Sequence, residues 1–227
     1  MSKKILVIED EVAISNILKN YLENDGYEVV VANDGMEGYQ KFTQGSFDLV
    51  MLDIMMPKID GYVVLEMIRK TSNIPVMMIT AMSEVVDQMK AFELSVDDYI
   101  TKPFDMKLVL VRVGALLRRS SVSARSFVAE ENIIKYKDLE MDIQAVEVRV
   151  MGKIADLTHK EFEILQLLLM NQNKVFTREM LLDKLWGYDF FGNSKVVNVH
   201  IQNLRKKLPG EYITTVRGVG YKIAKEN

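Results

Sequence analysis

The chain has 227 residues, is 48% apolar, carries a formal net charge of −3 and contains no cysteine. This length suits two domains of ordinary size, and the missing cysteines exclude a disulfide framework and thiolate zinc sites. No apolar run approaches the roughly 18 residues that would span a bilayer, and the apolar stretch after Lys3 and Lys4 is too short for a signal peptide. We therefore expect a cytoplasmic protein.

The charge of the chain is unevenly distributed. Residues 1–120 contain 13 Lys and Arg against 18 Asp and Glu, a net of −5, whereas the remainder contains 16 against 14, a net of +2. Residues 195–225 hold seven basic side chains and a single acidic one, Glu211. An acidic half joined to a half with a basic end predicts one nucleic-acid contact surface.

The first half alternates apolar strands with amphipathic helices. Predicted strands cover residues 3–8, 28–32, 49–54, 75–79 and 98–101, and predicted helices cover about 14–22, 35–44, 61–70, 84–94 and a segment that ends near 119. Five such alternations call for a parallel sheet with helices on both faces, which is an α/β doubly wound, flavodoxin-like fold.

Polar side chains follow the predicted strands of this half. Asp53 breaks the apolar third strand, and on its own such an aspartate most often caps a strand or begins a turn. The other strands end in Glu9 and Asp10, in Thr80 and in Lys102. The carboxyl ends of parallel strands meet at one edge of the sheet, where open α/β sheets place their chemistry. We therefore expect these side chains to share one crevice.

Three carboxylates in one crevice repel each other unless a cation lies among them, and hard oxygen ligands suit Mg²⁺. Lys102 would add a positive point charge for a phosphate. Phosphoryl transfer requires mainly positioning and charge neutralisation, and a carboxylate can itself be the nucleophile, which gives an aspartyl phosphate. The sequence therefore predicts a phosphoryl-acceptor site at Asp53 with Mg²⁺ as cofactor.

Residues 1–119 resemble the receiver domain of bacterial two-component response regulators. The matching segments are Glu9-Asp10, Asp53-Ile54-Met55-Met56-Pro57 with Asp60-Gly61, Thr80-Ala81 and Asp97-Asp98-Tyr99-Ile100-Thr101-Lys102-Pro103-Phe104. The resemblance implies that a sensor histidine kinase donates the phosphoryl group to Asp53. The Mg²⁺ ligands that it implies are Glu9, Asp10, Asp53 and the backbone carbonyl of Met55.

The same resemblance also implies which residues respond when Asp53 is phosphorylated. Lys102 would contact the phosphoryl oxygens. Thr80 would move to hydrogen-bond a phosphoryl oxygen, and Tyr99 would turn inward into the space that Thr80 leaves. The half-buried position of a strand aromatic is an equally ordinary explanation for Tyr99. Together the two side chains would form the two-state element that phosphorylation biases.

In one branch of this family the predicted helix 84–94, the strand 98–101 and the following helix form a dimer face when the receiver is phosphorylated. The residues assigned to that face are Lys90, Glu93, Asp97, Asp98, Leu108, Arg112 and Arg119. Leu108 stands where an acidic partner for Lys90 is usual, and Gly114 stands where a basic residue is common. Each exposed ion pair contributes roughly 0.2–1 kcal/mol, so we expect a weakened homodimer rather than none.

Residues 120–131 are small, polar and without periodicity, which predicts a flexible linker between domains at 1–119 and 132–227. In the second half, short apolar stretches between 133 and 157 predict about four antiparallel strands. Thr158 and Glu161 form a capping-box pattern at the start of a helix. Thr177 caps a second helix that Gly187 ends, and a third helix begins near Ser194.

The third helix has two distinct faces. Its predicted buried face consists of Val197, Ile201, Leu204 and Leu208. Its predicted outer face consists of Lys195, Val199, Gln202, Asn203 and Lys206. Such a face is ordinarily just solvated, but amides, cations and a methyl-rich residue also suit the major groove of DNA. A hairpin at 212–223 with a basic, glycine-containing tip at Arg217 favours the DNA interpretation.

This half resembles the winged helix-turn-helix domain, an α+β fold, of the OmpR/PhoB branch of response regulators. The matching segments are Leu157-Thr158-His159-Lys160-Glu161-Phe162, Leu185-Trp186-Gly187, Val197-Asn198-Val199-His200-Ile201 and Thr215-Val216-Arg217-Gly218-Val219-Gly220-Tyr221. The resemblance implies that the third helix enters the major groove. It further implies that His200, Arg205 and Thr215 contact the DNA backbone and that Arg217 reaches the minor groove.

The expected function is a two-component response regulator, not an enzyme, that is phosphorylated on Asp53, dimerises and binds double-stranded promoter DNA. RNA polymerase is the further partner expected of a promoter-bound regulator, and no membrane partner is expected. One alternative is a phosphatase with Asp53 as a transient nucleophile, but such enzymes often need a second Asp two residues on, where this chain has Met55. The other is a constitutive DNA-binding transcription factor with a vestigial receiver.

Overall fold

The computed structural model describes residues 2–81, 94–120, 133–187 and 194–225, without the side chains of 118–120. The predicted helix 84–94 lies outside these ranges except for its last residue, and the predicted linker 120–131 lies outside them except for its first. The chain divides into two compact units, residues 1–121 and 122–227, here called the N-terminal and C-terminal units. Within the described ranges, no helix has the length and apolar character that crossing a membrane requires.

The N-terminal unit is built on a five-stranded parallel sheet in the order β2-β1-β3-β4-β5. Its described elements are β1 (Lys4–Ile8), α1 (Val12–Asn24), β2 (Glu28–Ala32), α2 (Gly35–Gln44), β3 (Leu49–Asp53), α3 (Gly61–Arg69), β4 (Val76–Thr80), β5 (Asp98–Thr101) and α4 (Met106–Ser120). The predicted parallel α/β fold is therefore confirmed. The strand order changes direction at β1 and β3, which is where open α/β sheets form a crevice.

The core of this unit explains why its strands read as continuous apolar runs. Every residue of β3 from Leu49 to Leu52 is fully buried, because helices cover both faces of a parallel sheet. Leu18 and Leu22 of α1 and Val113 of α4 pack in the same core cluster. Burying such a side chain contributes about 1.5–3 kcal/mol, so this packing holds the carboxyl ends of the strands in fixed positions.

The described residues of the C-terminal unit form two antiparallel sheets and three helices. Its described elements are β6 (Ile133–Tyr136), β7 (Leu139–Asp142), β8 (Glu147–Val150), β9 (Lys153–Ala155), α5 (His159–Leu169), β10 (Phe176–Thr177), α6 (Arg178–Trp186), α7 (Lys195–Lys207), β11 (Ile213–Val216) and β12 (Gly220–Ile223). The capping box of Thr158 and Glu161 opens α5, and the side chain of Thr177 accepts from the amide of Met180 at the start of α6. Gly187 ends α6 with a φ of 89°.

The hairpin β11–β12 gains a third strand that the sequence did not predict. The two-residue strand β10 pairs with β12, so that Phe176 lies opposite Tyr221 and Thr177 opposite Gly220. A Cβ atom on Gly220 would collide with the carbonyl oxygen of Phe176. This glycine therefore allows the backbone just before α6 to approach the β11–β12 hairpin closely.

Asp97 does not lie on a surface, and its predicted place on a dimer face is wrong. Its side chain is 0% exposed. Its Oδ2 accepts hydrogen bonds from Nη2 of Arg69 and from the amide of Val76, both at 2.9 Å. A buried carboxylate requires such partners, so Asp97 joins α3 to the sheet within one chain.

Two other residues assigned to the dimer face, Asp98 and Arg112, are buried and paired with each other. Nη1 of Arg112 lies 2.9 Å from Oδ1 and 3.0 Å from Oδ2 of Asp98. Leu108 is half-buried and packs against the core. The remaining members, Lys90, Glu93 and the side chain of Arg119, lie outside what the structure describes.

We expect Asp97→Asn to lower the free energy of unfolding by about 3 kcal/mol, because it leaves the charge of Arg69 without its buried counter-ion. The matched control is Glu28→Gln, since Glu28 pairs with Lys4 at 2.6 Å but has a side chain that is 56% exposed. That exposed pair should contribute less than about 1 kcal/mol. Chemical denaturation of the full chain, followed by circular dichroism, measures both; equal losses would contradict a buried structural role for Asp97.

Candidate functional site

The carboxyl edge of the parallel sheet gathers the predicted acidic residues. Glu9 and Asp10 directly follow β1, and Asp53 is the last residue of the adjacent strand β3. One carboxylate oxygen from each residue lies within 4.8 Å of the other two. Glu9 is 0% and Asp53 2% exposed, whereas Asp10 is half-buried. The prediction that these side chains share one crevice is confirmed.

Lys102, directly after β5, places its ammonium group among these carboxylates. Its Nζ lies 2.7 Å from Oδ2 of Asp53, 2.9 Å from Oε1 of Glu9 and 3.3 Å from Oε1 of Glu11. Burial of the ammonium acts to lower the pKa of Lys102, but the hydrogen bonds to Asp53 and Glu9 outweigh it and raise that pKa above its ordinary value. Lys102 therefore carries a permanent positive charge in the crevice. Glu11, which is exposed, is a contact that the sequence did not single out.

Of the three carboxylates in the described crevice, Glu9 has a buried oxygen without a hydrogen-bond partner. Burial raises the pKa of its carboxyl to about 7, the hydrogen bond from Lys102 opposes this rise, and the neighbouring charge of Asp53 adds to it. Among the described residues, its Oε2 is buried and has no hydrogen-bond partner. A buried anionic oxygen without a partner is costly. Three converging carboxylates with one such oxygen fit a hard divalent cation such as Mg²⁺.

Met55 and Thr80 contact residues of this crevice, and Tyr99 lies on the neighbouring strand β5. The backbone amide of Met55 donates to Oδ1 of Asp53 at 3.1 Å, which fixes the start of the loop that follows β3. Thr80 ends β4 and is 3% exposed, and its carbonyl accepts from the amide of Lys102 at 2.7 Å. Tyr99, in the middle of β5, is 6% exposed. Both predicted switch residues are therefore buried in this structure.

The candidate nucleic-acid interface lies on α7 and the β11–β12 hairpin. Six of the predicted DNA-contact residues are exposed there, namely Lys195, Gln202, Arg205, Lys206, Thr215 and Arg217. The predicted buried face of α7 is confirmed, since Val197, Ile201 and Leu204 are each at most 1% exposed. The wing tip contains Gly218 with a φ of 74°. This surface combines cations and an amide on a helix beside a basic loop.

Val199 and Asn203 were predicted to face outward on α7, and that prediction is wrong because both are buried. His200, which the resemblance implied as a contact with the DNA backbone, is buried as well. Val199 is 5% and Asn203 9% exposed, and His200 is 0% exposed with its ring 5.3 Å from the ring of Trp186. The reason is that α7 packs against both α5 and α6, so that more than one side of the helix is covered. The exposed residues of α7 are Lys195, Gln202, Arg205 and Lys206, and Asn198 is half-buried beside them.

Arg205 links α7 to the β11–β12 hairpin. Its Nη2 donates to Oγ1 of Thr215 at 2.7 Å and to the carbonyl of Ile213 at 2.8 Å. Arg205 and Thr215, two of the three residues that the resemblance implied as contacts with the DNA backbone, are therefore hydrogen-bonded to each other. Asn198, Arg178 and Tyr221 form a second link that the sequence analysis missed. Asn198 precedes Gln202 by one helical turn and so lies on the same side of α7. That spacing could have identified Asn198 from the sequence.

The N-terminal unit has an acidic crevice with a lysine at the edge of a parallel sheet. The C-terminal unit has a helix, α7, with an exposed basic face beside the β11–β12 hairpin. This combination is typical of two-domain regulators with a receiver and a winged-helix DNA-binding domain. Residues 5–113 match the family described as response regulator receiver domain. Residues 152–223 match the family described as transcriptional regulatory protein, C terminal.

Full-length relatives extend these matches over nearly the whole chain. The chain is 41% identical over 223 residues to regulatory protein VanRB of Enterococcus faecalis, covering 98% of each chain. It is 40% identical over 233 residues to the alkaline phosphatase synthesis transcriptional regulatory protein PhoP of Bacillus subtilis, covering 98% of this chain and 97% of PhoP. The solved structure of response regulator DrrB, a Thermotoga maritima OmpR/PhoB homologue, matches with a TM-score of 0.53 at 32% identity, over 99% of this chain and 100% of DrrB. The chain belongs to the OmpR/PhoB-type two-component response regulators, which control transcription.

We expect Lys102→Met to lower the free energy of unfolding by about 3 kcal/mol in buffer containing EDTA, because two buried carboxylates lose their counter-ion. Added Mg²⁺ should restore part of this loss if the crevice binds the ion. Lys3→Met is the matched control, since Lys3 pairs with Asp48 at 2.7 Å with both side chains about a third exposed, and it should cost less than about 1 kcal/mol. Denaturation of the full chain in EDTA and in Mg²⁺ measures these values. Wild-type stability of the Lys102 variant in EDTA would disprove the electrostatic role.

Proposed function

We propose that Asp53 accepts a phosphoryl group from a sensor histidine kinase in the cytoplasm, and that this modification controls dimerisation and promoter binding. The observation that carries the proposal is the meeting of Asp53, Glu9 and Lys102 in one crevice. The Mg²⁺ ligands would be Glu9, Asp10, Asp53 and the backbone carbonyl of Met55. When bound, the ion would neutralise negative charge on the transferring phosphoryl group.

The reaction needs little from the protein beyond position and charge. A carboxylate oxygen of Asp53 forms a bond to phosphorus while the bond between phosphorus and the kinase's histidine nitrogen breaks, and the nitrogen keeps the electron pair. Lys102 is already 2.7 Å from Asp53, so its ammonium can pass from the carboxylate to the new phosphoryl oxygens without leaving the crevice. The amide of Met55 orients the carboxylate through Oδ1.

Loss of the Lys102–Asp53 contact would be transmitted through the neighbouring strands. Thr80 ends β4 between Asp53 and β5, and its carbonyl already accepts from the backbone amide of Lys102. We propose that the Thr80 hydroxyl binds a phosphoryl oxygen and that the position of Tyr99 on β5 changes with it. A shift from mostly inactive to mostly active requires up to about 5 kcal/mol of preference for the active state.

Phosphorylated receivers would pair through the face formed by the segment 84–94, β5 and α4, which includes Leu108. Residues 120–131 would serve as the linker. Pairing places two DNA-binding units on one repeated or palindromic site, so that the second unit binds at a high effective concentration. Lys195, Gln202 and Lys206 would lie in the major groove. Arg205 and Thr215 would contact phosphates, and Arg217 would reach the minor groove.

We expect acetyl phosphate with Mg²⁺ to add one phosphoryl group to the full chain, and we expect EDTA or Asp53→Asn to abolish the addition. Glu11→Gln is the matched control, because Glu11 also contacts Lys102 but is 61% exposed and is not a proposed acceptor. Intact-protein mass spectrometry measures the modification. Retained labelling of the Asp53 variant would refute the proposed acceptor.

We expect beryllofluoride, which imitates the phosphoryl group on an aspartate, to convert binding of single DNA sites into binding of paired sites. Selection of duplexes from random sequence at a fixed salt concentration should yield two spaced half-sites only with beryllofluoride, with affinity raised at least about tenfold. Asp53→Asn should not respond. The same sites and affinities with and without beryllofluoride would instead support a constitutive DNA-binding protein.

A further inference from the structure

Three residues from three elements meet beside the exposed face of α7. Nε of Arg178, the first residue of α6, donates to Oδ1 of Asn198 on α7 at 2.7 Å. The hydroxyl of Tyr221, on β12, donates to the same oxygen at 2.8 Å. The guanidinium of Arg178 also lies 5.5 Å from the centre of the Tyr221 ring. A single amide oxygen therefore fixes the position of an arginine relative to both the recognition helix and the wing.

This cluster belongs to the surface that faces outward on α7. The spacing of Lys195, Asn198, Gln202 and Arg205 repeats at three or four residues, so these side chains share one face of the helix. Lys195, Gln202 and Arg205 are exposed, and Asn198 is half-buried among them. Arg178 is also half-buried, which leaves part of it accessible beside this face.

The partners of Arg178 leave its charge uncompensated. In the part of the chain that the structure describes, no carboxylate oxygen forms an ion pair with it within 4.0 Å. Its chain neighbour Glu179 is exposed, and the pKa of its carboxyl is lowered first by a hydrogen bond from its own backbone amide and next by one with the Thr177 side chain, with the charge of Arg178 the smallest contribution. The amide of Asn198 positions the guanidinium without neutralising it. The five donors of a guanidinium leave others free for a second acceptor.

We propose that Arg178 binds a DNA phosphate in addition to the contacts proposed above, and that Asn198 is the residue that positions it. The inference rests on the proposed placement of α7 in the major groove, because only that placement brings Arg178 to the DNA backbone. An oriented guanidinium loses less freedom on binding a phosphate and can bind it through two hydrogen bonds. A carboxylate at position 198 would keep both hydrogen bonds but would neutralise the charge.

The contribution of one phosphate contact is measurable from the salt dependence of binding. Each contact on duplex DNA releases counter-ions and contributes about 0.9 to the slope of log K against log salt, or about eightfold in affinity near 0.1 M salt. A purely structural role for Arg178 would change the stability of the protein but would leave this slope intact. The slope therefore separates the two roles.

The test uses the full chain and a mixed-sequence duplex of roughly 30 base pairs, long enough for non-specific binding. Anisotropy titrations at several salt concentrations give the affinity and the slope. We expect Arg178→Gln to weaken binding about eightfold and to reduce the slope by about 0.9. Arg149→Gln is the matched control, because Arg149 is exposed on β8 and pairs with Glu147 at 2.6 Å; it should change neither quantity.

Variants at position 198 test the positioning role. Asn198→Ala should weaken binding in the wild-type background but have no further effect in the Arg178→Gln background, since the residue acts through Arg178. Asn198→Asp should reduce the slope as Arg178→Gln does while thermal unfolding stays at the wild-type temperature. This variant keeps the test valid if Arg178→Gln does not fold. Equal losses from Asn198→Ala in both backgrounds would overturn the positioning role.

Lys206→Gln separates failure of this inference from failure of the proposed interface. A reduced slope for Lys206→Gln together with an unchanged slope for Arg178→Gln would overturn the assignment of Arg178 and leave the interface in place. Unchanged slopes for both variants would overturn the placement of α7 against DNA, and the inference with it. Reduced slopes for both would support both.

Discussion

The pairing of Lys102 with two buried carboxylates is the interaction on which the N-terminal unit depends. Glu9 and Asp53 are each at most 2% exposed, and such charges are tolerated only when an opposite charge is within hydrogen-bond distance. The ammonium comes from the loop after β5, whereas the carboxylates come from β1 and β3 at the other side of β4. The parallel strands in this order bring these side chains to the same edge of the sheet, so the fold places the ammonium where the buried carboxylates need it.

Other buried ion pairs of the same unit have a different character. Arg69 binds Asp97 and Arg112 binds Asp98, and the amide of Val76 also donates to Asp97. In each pair a guanidinium faces a carboxylate, so the pair stabilises the fold. The crevice at Asp53 has more carboxylates than cations and an unsatisfied oxygen on Glu9. A group that adds or removes charge in this crevice changes the ratio of negative to positive charge around Asp53. A switch that responds to a chemical modification needs such a sensitivity to charge.

The sequence predicted the parallel sheet and the polar residues at its carboxyl edge. Each strand is an apolar run that ends where polar residues begin, so its end can be recognised locally. The capping box at Thr158 and the end of α6 at Gly187 were predicted for the same local reason. The faces of α7 were not, because periodicity assumes that a helix packs on one side, whereas α7 contacts both α5 and α6. Val199 and Asn203 are buried for that reason. Asp97 was misplaced because the local sequence around it gives no sign that its partner is Arg69, which is 28 positions away along the chain.

Arg178 and Arg205 of the C-terminal unit differ from Arg69 and Arg112 of the N-terminal unit in the partners that they bind. In the N-terminal unit, Arg69 and Arg112 bind aspartates, so their charge is consumed in holding the fold. In the C-terminal unit, Arg178 binds an amide oxygen, and Arg205 binds a carbonyl and a hydroxyl. Neutral acceptors fix the direction of a guanidinium but leave its charge for an external anion. The identity of the acceptor therefore separates arginines that build the structure from arginines that are held ready for a ligand, a distinction that net charge alone does not reveal.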